Sequence, residues 1–139
     1  MILRLLLDLI TGQKRCAYIQ VRRNSITVKD VYSSRTETSP PDLVFTTRRL
    51  LVGDFVPASK CLEAMVKRLY GNPVLPIRVP TVVHQLEMVE DGLSAVEERV
   101  LYELADTASC NVAQIHIGRE LSNAEVIEIV RSKRTARGA

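Results

Sequence analysis

Ala17-Tyr-Ile-Gln-Val-Arg-Arg-Asn-Ser-Ile-Thr-Val-Lys-Asp-Val31 is the stretch from which the fold can be read outward. Its two β-rich runs, Ala17 to Val21 and Ser25 to Val31, flank Arg22-Arg23-Asn24, and Asn24 tolerates the positive φ that a tight turn requires. The stretch therefore predicts a β-hairpin. Downstream, Ser33 to Asp42 is rich in small polar residues and ends in paired prolines, so it reads as a loop. A third strand is expected between Leu43 and Val52.

From Val56 to Tyr70 the chain changes period. Leu62, Met65, Val66, Leu69 and Tyr70 form the i, i+3, i+4, i+7, i+8 stripe of a helix lying on a core, with Pro57 suited to its first turn and Gly71 to its C-terminal cap. Leu75 to Leu86 reads as an extended approach to a buried fourth strand around Val82-Val83. Ser94 with Glu97 forms a capping-box pattern ahead of a helix carrying Val96, Val100, Leu101 and Leu104. Asn111 to Ile117 is a fifth strand. A second capping box, Ser122 with Glu125, opens a short terminal helix through Val126, Ile127 and Val130.

The order β-β-β-α-β-α-β-α implies a mixed five-stranded sheet covered by helices, which is the ribonuclease H-like, or actin-like, α/β arrangement. The 139 residues suit one such domain, placed at 17–132, with a basic disordered tail at 133–139. The opening run Met1 to Ile10 is about half the length needed to span a bilayer and is interrupted by Arg4 and Asp8, so residues 1–16 read as a short apolar helix or a leader rather than a membrane span.

Composition narrows the function classes. The chain is 46% apolar and 25% charged, which is globular. Its net charge of +3 is owed to Arg131, Lys133, Arg134 and Arg137 near the C-terminus; the other 15 basic residues face 16 acidic ones. A near-neutral body makes nucleic acid an unlikely partner, since such binding rests on clustered Lys and Arg. Cys16, Cys61 and Cys110 are odd in number and lack a C-x-x-C pair, which suits a reducing cytoplasm better than a disulfide framework or a zinc site.

Two motifs carry a resemblance. Arg49-Leu-Leu-Val-Gly-Asp-Phe-Val-Pro-Ala-Ser-Lys-Cys-Leu62 resembles the entry to the first long helix of MreB-type bacterial actin homologues, and Gly92-Leu-Ser-Ala-Val-Glu-Glu-Arg-Val100 resembles their G-x-T-x-V-E-R-R-A. A closer resemblance, running from Tyr18 to Lys133, is to the YjaA family of small enterobacterial stress-induced proteins. It is carried by Tyr18 to Val28, Arg49-Leu-Leu, and Gly92 to Glu103. That resemblance implies a cytoplasmic protein linked to acid or oxidative stress and biofilm.

The MreB-type pattern implies that Glu97 would position an attacking water, but Glu97 is also the third residue of a capping box, which accounts for it fully. Phosphoryl transfer needs backbone donors around the phosphates and carboxylate-held metal. Between the first two strands, where actin-like families carry Asp-x-Gly-Thr, this chain has only Arg22-Arg23-Asn24-Ser25. A two-metal nuclease needs several carboxylates on neighbouring elements; Ala17 to Val21 supplies none, and Asp30, Asp54 and Glu87 are expected to be solvated or capping. His84 and His116 sit in predicted strands without ligand partners and are expected to be half-buried. The chain is thus expected to be no enzyme, with no catalytic residue, metal or cofactor, and to act through an unidentified protein partner. Pairing of edge strands with a second copy is also open. The alternative is a degenerate nucleotide or phosphate-ligand binder using Arg22 and Arg23 with Ser94 and Glu97 at a helix N-terminus, where backbone donors favour anions.

Overall fold

The structure is a computed structural model that describes residues 14–71 and 78–138, with side chains to residue 133. Of the expected leader or helix at 1–16, residues 1–13 lie outside the described residues, as do the first residues of the approach from Leu75, while Cys16 is buried just before the first strand. Five strands, β1 (Ala17–Arg22), β2 (Ser25–Asp30), β3 (Thr36–Thr38), β4 (Val79–Gln85) and β5 (Cys110–His116), form one mixed sheet in the order β3-β2-β1-β4-β5. Among the described residues three helices accompany it: α1 (Phe55–Tyr70), α2 (Ala95–Thr107) and α3 (Asn123–Gly138). β1 pairs antiparallel with β2, and β2 with β3, whereas β1, β4 and β5 run parallel. β2 alone opposes the other four.

Alternation along β1 sends its side chains to two different cores. Ile19 and Val21 join Ile26, Val28 and Val83 under α1 and α2, which contribute Leu62, Met65, Leu101 and Leu104. Tyr18 faces the other way, joining Val82, Leu121, Val126 and Val130 beneath α3. Every residue of β4 is buried, as befits an interior strand covered on both faces.

The hairpin is as expected: Arg22 pairs with Ser25, and Asn24 takes φ 52°. The third strand is not where expected. It is Thr36–Thr38, within the polar stretch read as a loop, whereas 43–52 is irregular. Apolar Phe45, Leu51 and Val52 are buried, but burial does not require a sheet. Asn24 Oδ1 accepts the Phe45 and Thr46 N–H groups, both at 2.8 Å; Thr46 Oγ1 donates to the Leu51 carbonyl at 2.7 Å; and the Gly53 and Asp54 N–H groups donate to the Phe45 carbonyl. The backbone is satisfied without ladder partners. β3, as an edge strand, stays short and polar. The terminal helix is also longer than expected, continuing through Gly138 into residues assigned to a disordered tail.

Candidate functional site

In open sheets with parallel strands, ligands bind beyond the carboxyl ends of the strands, where connections diverge to opposite sides. Here that point is the carboxyl end of β1, which leads outward to β2 while its parallel neighbour β4 leads towards α2 and β5. The crevice between β1 and β4 is closed by the chain itself. The Leu86 N–H donates to the Val21 carbonyl at 3.0 Å, Arg23 Nη1 pairs with Glu87 Oε2 at 2.7 Å, and Gln85 Nε2 donates to the Glu87 and Met88 carbonyls. Between Glu97, Gln85 and Leu50–Val52 lies a cavity of about 10 Å³, room for roughly one water.

The residues singled out from sequence sit around this end, each in a local structure. Arg23 is in the turn and pairs with Glu87. Ser94 is the N-cap of α2: its Oγ accepts the Glu97 N–H at 3.2 Å, while Glu97 Oε1 accepts the Ser94 N–H at 3.3 Å. Both halves of the capping box are made, so the Glu97 carboxylate is turned back to its own helix. Arg22 ends β1, on the same face of the strand as Tyr18 and Gln20. Among the described residues no group of three or more His, Cys, Asp or Glu side chains is placed to hold a metal ion. Of the acids expected to be solvated or capping, Glu87 is half-buried and Asp54 occupies the α1 N-cap position without a side-chain cap bond. Asp30 is buried, a departure from expectation. It accepts the Ser33 N–H and Oγ–H at 3.0 and 2.7 Å and the Tyr70 hydroxyl at 2.9 Å.

On the α3 side of the same strand ends lies a polar cluster that sequence reading missed. His84 is fully buried rather than half-buried. Its Nδ1 is 2.6 Å from the Tyr18 hydroxyl and its Nε2 is 3.0 Å from the Gly118 carbonyl. The Tyr18 oxygen also accepts the Leu121 N–H at 3.0 Å. A carbonyl only accepts, so Nε2 carries the proton and Nδ1 receives that of Tyr18. His116 stacks edge-on at 4.6 Å between ring centroids, and Gln20 Nε2 donates to Glu120 Oε1 at 2.9 Å. Burial holds the His84 pKa below its ordinary value and that of Tyr18 above its own, so both are neutral near pH 7. The one signal in the sequence was period two: Tyr18, Gln20 and Arg22 share a face of β1.

No protein-family model matches this chain. Over 125 residues it is 39% identical to the uncharacterized protein YjaA of Escherichia coli (strain K12), a match that takes in 84% of this chain and 97% of YjaA. The chain belongs to the YjaA family. Among solved structures it is similar to the ethanolamine utilization protein EutJ from Carboxydothermus hydrogenoformans, with a TM-score of 0.49 and 15% identity; the match covers 83% of this chain and 43% of EutJ.

Cys16 and Cys110 are buried, and burial pushes the Cys110 thiol up to about 11 and raises that of Cys61, so neither Cys110 nor Cys61 is a ready thiolate. Among the described residues, no helix is long and apolar enough to cross a membrane.

Proposed function

We propose that this chain is a non-catalytic domain of a cytoplasmic stress-response protein, built like one half of an actin-like unit, that acts by binding another protein. The observation that carries the reading is the closed crevice: Arg23 pairs with Glu87, the Leu86 N–H donates to the Val21 carbonyl, and Ser94 and Glu97 are bonded to each other in the capping box, so these candidate phosphate contacts are already engaged within the chain. A binding role needs no such opening. The strand order 3-2-1-4-5 with only β2 reversed supports the ribonuclease H-like, actin-like reading. The link to acid or oxidative stress rests on the family resemblance.

Two measurements test the proposal. Thermal melts with Mg-ATP, Mg-ADP and Mg-GTP are expected to match the melt without nucleotide, because a ligand at 100 times its Kd would add about 2.7 kcal/mol of stability. A rise of several degrees would instead favour the phosphate-ligand reading through Arg22, Arg23 and Ser94. Capture from acid-stressed or peroxide-stressed cells is expected to yield one protein in near-equal ratio that rebinds the purified chain. Failure to find any such partner would count against the protein-binding role.

A further inference from the structure

At the other end of the sheet, where β1 begins and β2 and α1 end, a cavity of about 350 Å³ is lined by Lys14, Asp30, Tyr32, Arg35, Leu69 and Tyr70. Its volume falls at the small end of the range for pockets that enclose organic ligands. Asp30 makes no demand on a ligand, since Ser33 and Tyr70 already donate to both its oxygens. Tyr70 is equally fixed. Burial, then the adjacent Asp30, drives its pKa upward, so its hydroxyl stays a donor to that carboxylate and its ring remains as wall.

The cations are in a different position. Lys14 and Arg35 make no ion pair among the described residues, and Arg35 holds only the Arg68 carbonyl, through Nη2 at 3.4 Å. Two cations beside one internally satisfied carboxylate leave a net single positive charge over an apolar wall of Leu69 and two tyrosines. The flat guanidinium fork matches a carboxylate edge, which an ammonium alone would not select.

We propose that this cavity binds a small organic monoanion, a carboxylate on a ring-sized apolar body. Arg35 and Lys14 take the carboxylate, and Leu69, Tyr32 and Tyr70 take the body. Neither the closed crevice nor the protein-binding role enters this proposal, so it stands or falls separately.

The test is a titration of the full chain followed by amide NMR, with benzoate as probe, benzamide as its uncharged counterpart and inorganic phosphate as charge without a body. Benzoate is expected to saturate at millimolar concentration or below and to shift the Tyr32, Ser33 and Tyr70 amides. Benzamide, which lacks the charge-assisted bonds, and phosphate, which lacks an apolar body to bury, should each bind about tenfold more weakly or worse. Arg35→Gln and Lys14→Gln, both at exposed positions that leave the fold intact, should each weaken benzoate similarly. Absence of saturation, shifts confined to another part of the chain, or benzamide or phosphate binding as tightly as benzoate would each overturn the proposal.

Discussion

Tyr18 and His84 are 66 residues apart in sequence, yet their side chains meet at 2.6 Å under α3. Protonating His84 would place a cation in a fully buried site and leave Tyr18 without an acceptor for its own proton. Because the folded protein holds this imidazole below its ordinary value of 6.5, the unfolded chain takes up the proton first as pH falls. The stability that the neutral imidazole contributes is complete above about pH 6.5 and is lost as pH falls from there through the depressed folded pKa. Urea unfolding is therefore expected to show stability declining from pH 7 to pH 5, and His84→Gln to flatten that decline while lowering stability at pH 7 by about 1–3 kcal/mol. An unchanged slope in the variant would show that other groups set it. Gly53 is a second single-residue constraint. A Cβ there would fall 2.2 Å from the Thr47 side chain, so Gly53→Ala should cost about 1–3 kcal/mol by overpacking, and Thr47→Gly should recover much of that in the double variant when midpoints are compared.

Among the elements, those with local signals were readable. The capping boxes at Ser94–Glu97 and Ser122–Glu125 are both formed, with Ser122 N–H to Glu125 Oε1 at 3.1 Å and Glu125 N–H to Ser122 Oγ at 3.2 Å. These capping boxes join residues three apart, so short-range sequence is enough to specify them. Ser94→Ala should cost about 1 kcal/mol in thermal or urea unfolding. The segment 43–52 shows the reverse. Its apolar residues signalled burial correctly, but the backbone partners that make it an irregular loop come from Asn24, about twenty residues earlier. Asn24→Ala removes both acceptor bonds and places alanine at φ 52°, so a loss of about 2–4 kcal/mol is expected; Asn24→Gly, which keeps the φ but not the bonds, should lose less. Equal losses would mean that the bonds, and not the turn conformation, account for the whole effect.

At the scale of the molecule, one sheet carries two different faces and two different ends. The α1–α2 face is mainly apolar, with Thr81 and Gln85 of β4 buried on it beside Val79 and Val83, whereas the α3 face contains the Tyr18–His84 pair within its apolar patch. The carboxyl end of the parallel strands is closed by the Arg23–Glu87 pair, and the opposite end is open at the cavity around Arg35. Arg23 is mostly exposed, so that pair is worth no more than about 1 kcal/mol, and Arg23→Ala is expected to leave the unfolding midpoint nearly unchanged. If Arg23→Ala gained Mg-ATP protection that the unmodified chain lacks, the ion pair would be a plug over a nucleotide site rather than part of a closed surface.

The sequence by itself determined the hairpin, the three helices with their caps, the buried fourth strand and the mixed five-stranded architecture, because period, turn chemistry and capping act over a few residues. It also carried the family, through matched stretches spread from Tyr18 to Lys133. Only the tertiary structure decided that β3 is the polar Thr36–Thr38, that Asp30 and His84 are buried among donors and acceptors, and that Arg23 meets Glu87 across the strand ends. Each of those depends on which distant backbone or side chain the fold brings within about 3 Å, and hydrogen bonding at that range leaves no periodic trace in the sequence.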